Sequence, residues 1–180
     1  MVKIDSAFWK TELFPVIEEI ERLSKFSKFN TRLADMFEKQ VMLALFSVRT
    51  LIERSKLSQE LLLERIDVTA YPKRTSKPVT WLNSHDIDEL YDVDAPKPKQ
   101  ITAGFLCNQV IHSYILLPLH KDGAFTDILV CSDYKKNQWL YRVPVKRIIK
   151  LLNDVAFDYA SRMDITYNPK RRDYDIRNYK

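Results

Sequence analysis

Asn108 and His112 are the two side chains in this 180-residue sequence whose types and spacing best suit chemistry. They lie four positions apart in Cys107-Asn108-Gln109-Val110-Ile111-His112-Ser113-Tyr114, in a chain with only three histidines. Four positions is about one helical turn, so on a helix the amide and the imidazole stand one above the other. An imidazole beside a hydrogen-bonding amide can hold or pass a proton near neutral pH. The same pair can also be a buried polar contact that ties core elements together. Both readings stay open on the residues alone.

The element that must position them reads as a helix from about Lys99 to Ser113. At 100° per residue with Ile101 at zero, Phe105 falls near ~40°, Asn108 near ~340° and His112 near ~20°. These share one stripe. Thr102, Gln109 and Ser113 form the only clearly polar strip, and the remainder is Ala103, Gly104, Leu106, Cys107, Val110 and Ile111. A rod this apolar is expected to be largely enclosed, with Asn108 and His112 facing the core or a crevice.

A polar residue followed four positions later by a histidine, late in a helical segment and after two long helices, resembles the signature of the HEPN superfamily. Its members are small helical proteins, many of them RNA-cutting toxins or anti-phage factors. Their motif is an arginine, usually a polar residue, three variable residues and a histidine. Asn108 matches the polar position and His112 the histidine, whereas Cys107 stands where the arginine would be. A thiol cannot grip a phosphate through a bidentate contact. The resemblance implies metal-independent RNA cleavage with His112 as acid and base, and a cation steadying the phosphate, often across a dimer. Arg49 or Arg54, on the long second helix, is the candidate for that cation. The likeness covers roughly the first two thirds of the chain, and strands after His112 have no counterpart in a plain helical bundle.

Other chemistries are poorly served. Cys107, His112, His120 and Cys131 are acceptable zinc donors by type, but Cys107 and His112 point about 140° apart on the helix. No CxxC or HxxxH pair occurs, so no metal site and no cofactor are expected. Gly104 and Gly123 are the only glycines, too few for loops that wrap backbone amides around a phosphate. The acidic run Asp86, Asp88, Glu89, Asp92 and Asp94 lacks the glycine and closing glutamate of a calcium loop.

Composition sets the frame. The chain is 46% hydrophobic and 29% charged, with nine Phe, nine Tyr and three Trp, which suits one folded domain. Its net charge of +5 permits a polyanionic partner. Two cysteines make no disulfide framework, the start MVKIDSAFWK lacks the apolar run of a secretory leader, and Val41 to Phe46 is too short to cross a bilayer. A cytoplasmic protein without a membrane partner is expected.

Apolar spacing predicts helices from Ser6 to about Phe26, interrupted near Pro15, and from an Asn30 cap to Ser55. A short helix follows over Ser58 to Arg65, and a turn capped by Ser84. Ile66 to Pro72 suits a strand and Asp94 to Gln100 an extended connector. After His112, Tyr114–Leu119, Thr126–Ser132 and Gln138–Val143 suit three strands of an antiparallel meander, with Asp122-Gly123 as a hairpin turn, before a helix from Val145 to about Tyr159. The class is α+β: an N-terminal helical pair, a central helix, a three-stranded meander and a C-terminal helix. Trp139, Tyr141 and Arg142 are either interface anchors or ordinary sheet residues.

Residues 1–165 read as one domain and 166–180 as a basic aromatic tail. Five cations, Lys170, Arg171, Arg172, Arg177 and Lys180, meet two carboxylates there, a net +3 of the total +5. Lys170, Arg171, Arg172, Tyr174 and Arg177 suit RNA through charge and stacking; a solvated, disordered terminus fits the same composition. Two functions remain from the residues. One is a non-catalytic interaction or nucleic-acid-associated module, HEPN-like in ancestry, with RNA or another polyanion, a protein, or a second copy as partner. The other is a metal-independent ribonuclease using His112, Asn108 and Arg49.

Overall fold

The computed structural model describes residues 5–180; residues 1–4, on which the expectation about a secretory leader partly rests, lie outside it. The first helical stretch divides into α1 (Ser6–Thr11) and α2 (Leu13–Ser24). Pro15 has no N–H for the Thr11 carbonyl, so the ladder breaks where the proline demands. Leu13, Ile17, Ile20 and Leu23 of α2 are buried. The long helix α3 (Thr31–Glu53) starts on Asn30, whose side chain accepts from the Arg32 amide at 2.8 Å. Phe37, Val41, Ala44, Leu45, Val48 and Leu51 form its buried side, against which α2 packs.

The sheet is larger than the predicted meander. Five strands, β1 (Ile66–Pro72), β2 (Lys97–Ile101), β3 (Ser113–Lys121), β4 (Ala124–Ser132) and β5 (Trp139–Pro144), pair antiparallel in the order β2-β1-β5-β4-β3. The connector became strand β2 because it lies at the sheet edge, where Pro98 costs no ladder bond on its open side. The Asp122-Gly123 turn is present, with both residues at positive φ, 52° and 76°, as a two-residue hairpin of this hand requires. Strand β5 is central, so Leu140, Tyr141 and Val143 are buried, while Trp139 and Arg142 keep part of their surface exposed.

One sheet face meets the helices. Ile66, Val68, Ile128, Val130, Tyr141 and Val143 pack there with α2, α3, α6 (Ala103–Ile111) and α7 (Val145–Ala156). The opposite face carries a smaller cluster of Tyr71, Ile115, Leu129, Cys131 and Leu140, covered by Val79, Leu90 and Tyr91 from the 73–95 segment. That segment contains α5 (Ile87–Leu90), preceded by Asp86 rather than capped by Ser84, and α4 (Gln59–Leu63) is shorter than predicted.

Two corrections bear on function. The central helix begins at Ala103, not Lys99: the Thr102 hydroxyl accepts from the Phe105 amide at 3.2 Å, while Lys97–Ile101 are committed to β1. The segment 166–180 is no free tail. It belongs to a hairpin of β6 (Arg162–Asn168) and β7 (Asp173–Tyr179), paired from Arg162↔Tyr179 to Asn168↔Asp173. Asn168 accepts from the amides of Lys170 and Arg171, and Arg172 adopts φ 52° to close the turn.

Candidate nucleic-acid interface

Phe105, Asn108 and His112, three of the four residues of the stripe expected from helical spacing, share a site; Ile101, the fourth, ends β2 instead. With Gln109, Ser132, Asp133, Tyr134 and Lys135 they line an open cleft of about 530 Å³ at the C-terminal end of α6. His112 lines this crevice, one of the two placements expected for it, but is exposed rather than enclosed. It is the C-cap of α6, its amide bonded to the Asn108 carbonyl, and its side chain is exposed because the helix ends there. Asn108 is half-buried. Its Oδ1 accepts from Nη1 of Arg49, which crosses from α3, and Arg49 Nε donates to Glu53 at 2.7 Å. Arg49 thus reaches the residue next to Cys107, while Arg54 is the exposed C-cap of α3. Burial pushes the Cys107 thiol up to about 12, Arg49 opposing the rise only partly, so no thiolate is on offer there near neutral pH.

The far wall of the cleft is the turn between β4 and β5. Gln109, read as part of a polar strip, is buried; its Oε1 accepts from the Ser132 amide at 3.0 Å. The His112 carbonyl accepts from the Asp133 amide at 3.1 Å. These bonds hold the turn against the end of α6. They leave Tyr134 exposed, with Lys135 Nζ 5.1 Å from its ring centroid. The cleft therefore offers an imidazole, an amide held by a guanidinium, and an exposed tyrosine ring with a lysine beside it.

The hairpin presents a second surface. Direct cross-strand partners share a face. One face therefore carries Met163, Ile165, Tyr167, Tyr174 and Ile176, all exposed, and ends at buried Asn178. The Tyr167 and Tyr174 rings meet edge to face at 5.3 Å. The other face is polar, with an Arg162–Asp164 ion pair at 2.8 Å and Arg177 across from Asp164. In the turn, Arg171 pairs with Asp175 at 2.8 Å. Lys170 and Arg172 take part in no ion pair among the described residues. Of the five residues predicted for nucleic acid, Lys170, Arg171 and Arg172 thus cluster at the turn, Tyr174 lies on the apolar face and Arg177 on the polar one. Met163, Ile165 and Ile176 were missed, although alternation over 163–167 and 174–176 is their signal.

The remaining histidines are elsewhere: His120 Nε2 hydrogen-bonds the Phe26 carbonyl at 2.9 Å within an aromatic group of Phe29 and Phe125, and His85 is an exposed neighbour of Asp86. Among the described residues no three His, Cys, Asp or Glu side chains are grouped to hold a metal, and no helix is long and apolar enough to cross a membrane. No family model, curated protein or solved structure matches this chain.

Proposed function

We propose that this chain is a nucleic-acid-associated module that binds single-stranded RNA on its C-terminal hairpin. The observation that supports this most is the exposed Tyr167–Tyr174 pair on an apolar strand face, beside a turn whose Lys170 and Arg172 are unpaired among the described residues. Bases stack on such rings irrespective of sequence, and the two cations lie where a backbone would turn. The protein belongs in a reducing compartment such as the cytoplasm, in keeping with two buried free thiols.

Fluorescence anisotropy with a labelled RNA oligomer tests this. Tyr167→Ala and Tyr174→Ala should each weaken binding by about fivefold to a hundredfold, the range for one lost stack. Lys170→Ala with Arg172→Ala should flatten the dependence of log affinity on log salt by roughly 1.4, about 0.7 per phosphate contact. RNA affinity that ignores all four substitutions would remove the hairpin as the binding surface.

A second reading, cleavage, is favoured by one specific contact: Arg49 donates to Asn108, which shares an open cleft with His112. The arginine missing from the HEPN-like motif would then come from α3, with His112 as acid and base and Arg49 steadying the phosphate. Incubated with RNA in EDTA, the protein should cut, and His112→Ala should slow cutting by about a hundredfold to ten-thousandfold. Equal cutting by the variant ends this reading.

A further inference from the structure

The side of helix α3 that faces away from the core is charged at both ends but carries exposed apolar side chains at its middle. With Leu33 at zero and ~100° per residue, buried Phe37, Val41, Ala44, Val48 and Leu51 fall between about 0° and ~80°. Roughly opposite, between about 200° and ~300°, lie Met36, Leu43, Phe46 and Thr50 among five charges, Arg32, Asp35, Lys39, Glu53 and Arg54, of which Glu53 is already paired with Arg49 at 2.7 Å. Leu43 and Phe46 are 50% and 53% exposed, one turn apart at the middle of the helix. Thr50, beside them, turns its hydroxyl back to the Phe46 carbonyl at 3.0 Å, so it offers its methyl group outward.

The charges on this face say what covers it. Asp35 and Arg54 stand at its two ends, both exposed, and neither takes part in an ion pair among the described residues. They are equally far from the point midway between Leu43 and Phe46. An antiparallel α3 related by a two-fold axis at that point sets Leu43 against the second copy's Phe46. It sets Asp35 against the second copy's Arg54, and each contact occurs twice. Lys39 then meets Thr50, and no two like charges face each other. Centring the axis on Leu43 would oppose Arg32 to Arg54, and centring it on Phe46 would call on Glu53, already held by Arg49 at 2.7 Å, so the first register is the one that uses the two unpaired end charges.

We propose that the outer face of α3 is a self-complementary interface that pairs two copies of this chain antiparallel about a two-fold axis between Leu43 and Phe46. It stands apart from the RNA-binding hairpin, and either assignment can fail without the other. Sedimentation of the full chain over a concentration series tests it, with far-UV circular dichroism confirming that each variant is folded. The wild type should dimerise. Phe46→Glu should raise the dimer dissociation constant at least about thirtyfold, as for a central anchor. Asp35→Arg and Arg54→Asp should each weaken dimerisation about tenfold or more through like charges, and the double swap should restore it to within about threefold. A wild type that stays monomeric throughout, a dimer indifferent to Phe46→Glu, or a double swap no better than either single change would each overturn the interface.

Discussion

Asp158→Ala should cost about 3–5 kcal/mol of folding stability in urea melts, the range for stripping one member from a buried charged network. Asp158 is 1% exposed and its carboxylate is fully engaged. It accepts from the Ser58 amide at 2.7 Å and the Ser58 hydroxyl at 2.6 Å, and Lys180 Nζ sits 3.2 Å away. Ser58 is itself the N-cap of α4, so its orientation is set by Asp158. Lys10 is also buried and donates to the Asp158 backbone carbonyl. Burial holds its ammonium below the ordinary range, and the Asp158 charge is the largest force in the other direction. Alanine would leave the Ser58 donors unsatisfied and remove the countercharge of a buried lysine.

The same substitution reaches the proposed RNA surface. Lys180 ends the hairpin, and Asn178 beside it donates to the Ser55 carbonyl at 2.6 Å, so the root of β7 is fixed to the body at 55–58 and at Asp158. A two-stranded hairpin is marginal without such support. RNA affinity should therefore fall in Asp158→Ala toward the Tyr167→Ala level, and protease should cut between 157 and 180 before it cuts the core. A loss below about 1 kcal/mol would mean that the carboxylate behaves as a surface group.

How much of this was legible differs by element, for physical reasons. The α3 stripe and its Asn30 cap, the Asp122-Gly123 hairpin and the α7 stripe were readable because each depends on local periodicity or turn chemistry. Strand β2 was not, since nothing local in Lys97–Ile101 announces the partner β1 that lies some thirty residues earlier. The same commitment shortened α6 from its N-terminal end. At the candidate site, helical spacing gathered Phe105, Asn108 and His112 but wrongly added Ile101, which lies in β2, and of the two α3 arginines considered it is Arg49 that bonds Asn108. The degree of exposure of His112 was not legible, because it follows from where the helix stops, not from its period. Tyr134 and Lys135 were invisible for a related reason: a turn joins a site through tertiary bonds, here from Gln109 and His112.

Tyr91 closes the opposite face of the sheet, and two substitutions there separate packing from hydrogen bonding. The ring is fully buried among Tyr71, Val79, Leu90, Ile115, Leu129, Cys131 and Leu140, and its hydroxyl donates to the Lys136 carbonyl at 2.6 Å. Tyr91→Ala should cost about 3–5 kcal/mol, as for other large aromatic truncations in cores. Tyr91→Phe keeps the ring and strands that carbonyl, at about 1–3 kcal/mol. Lys136 lies in the turn that walls the α6 cleft, so the phenylalanine variant should speed amide exchange across 133–138 while β4 and β5 stay protected. Burial, with a smaller contribution from Cys131, pushes the Tyr91 phenol well above its usual 10.0. A group raised in the folded state contributes stability that is intact below the unfolded value and is lost as pH climbs past it. The wild type should thus lose stability above pH 10, and Tyr91→Phe should lose it less steeply. If the phenylalanine variant matches alanine in cost, or follows the wild-type curve above pH 10, the hydroxyl does not hold the cleft wall in the way its bond to Lys136 requires.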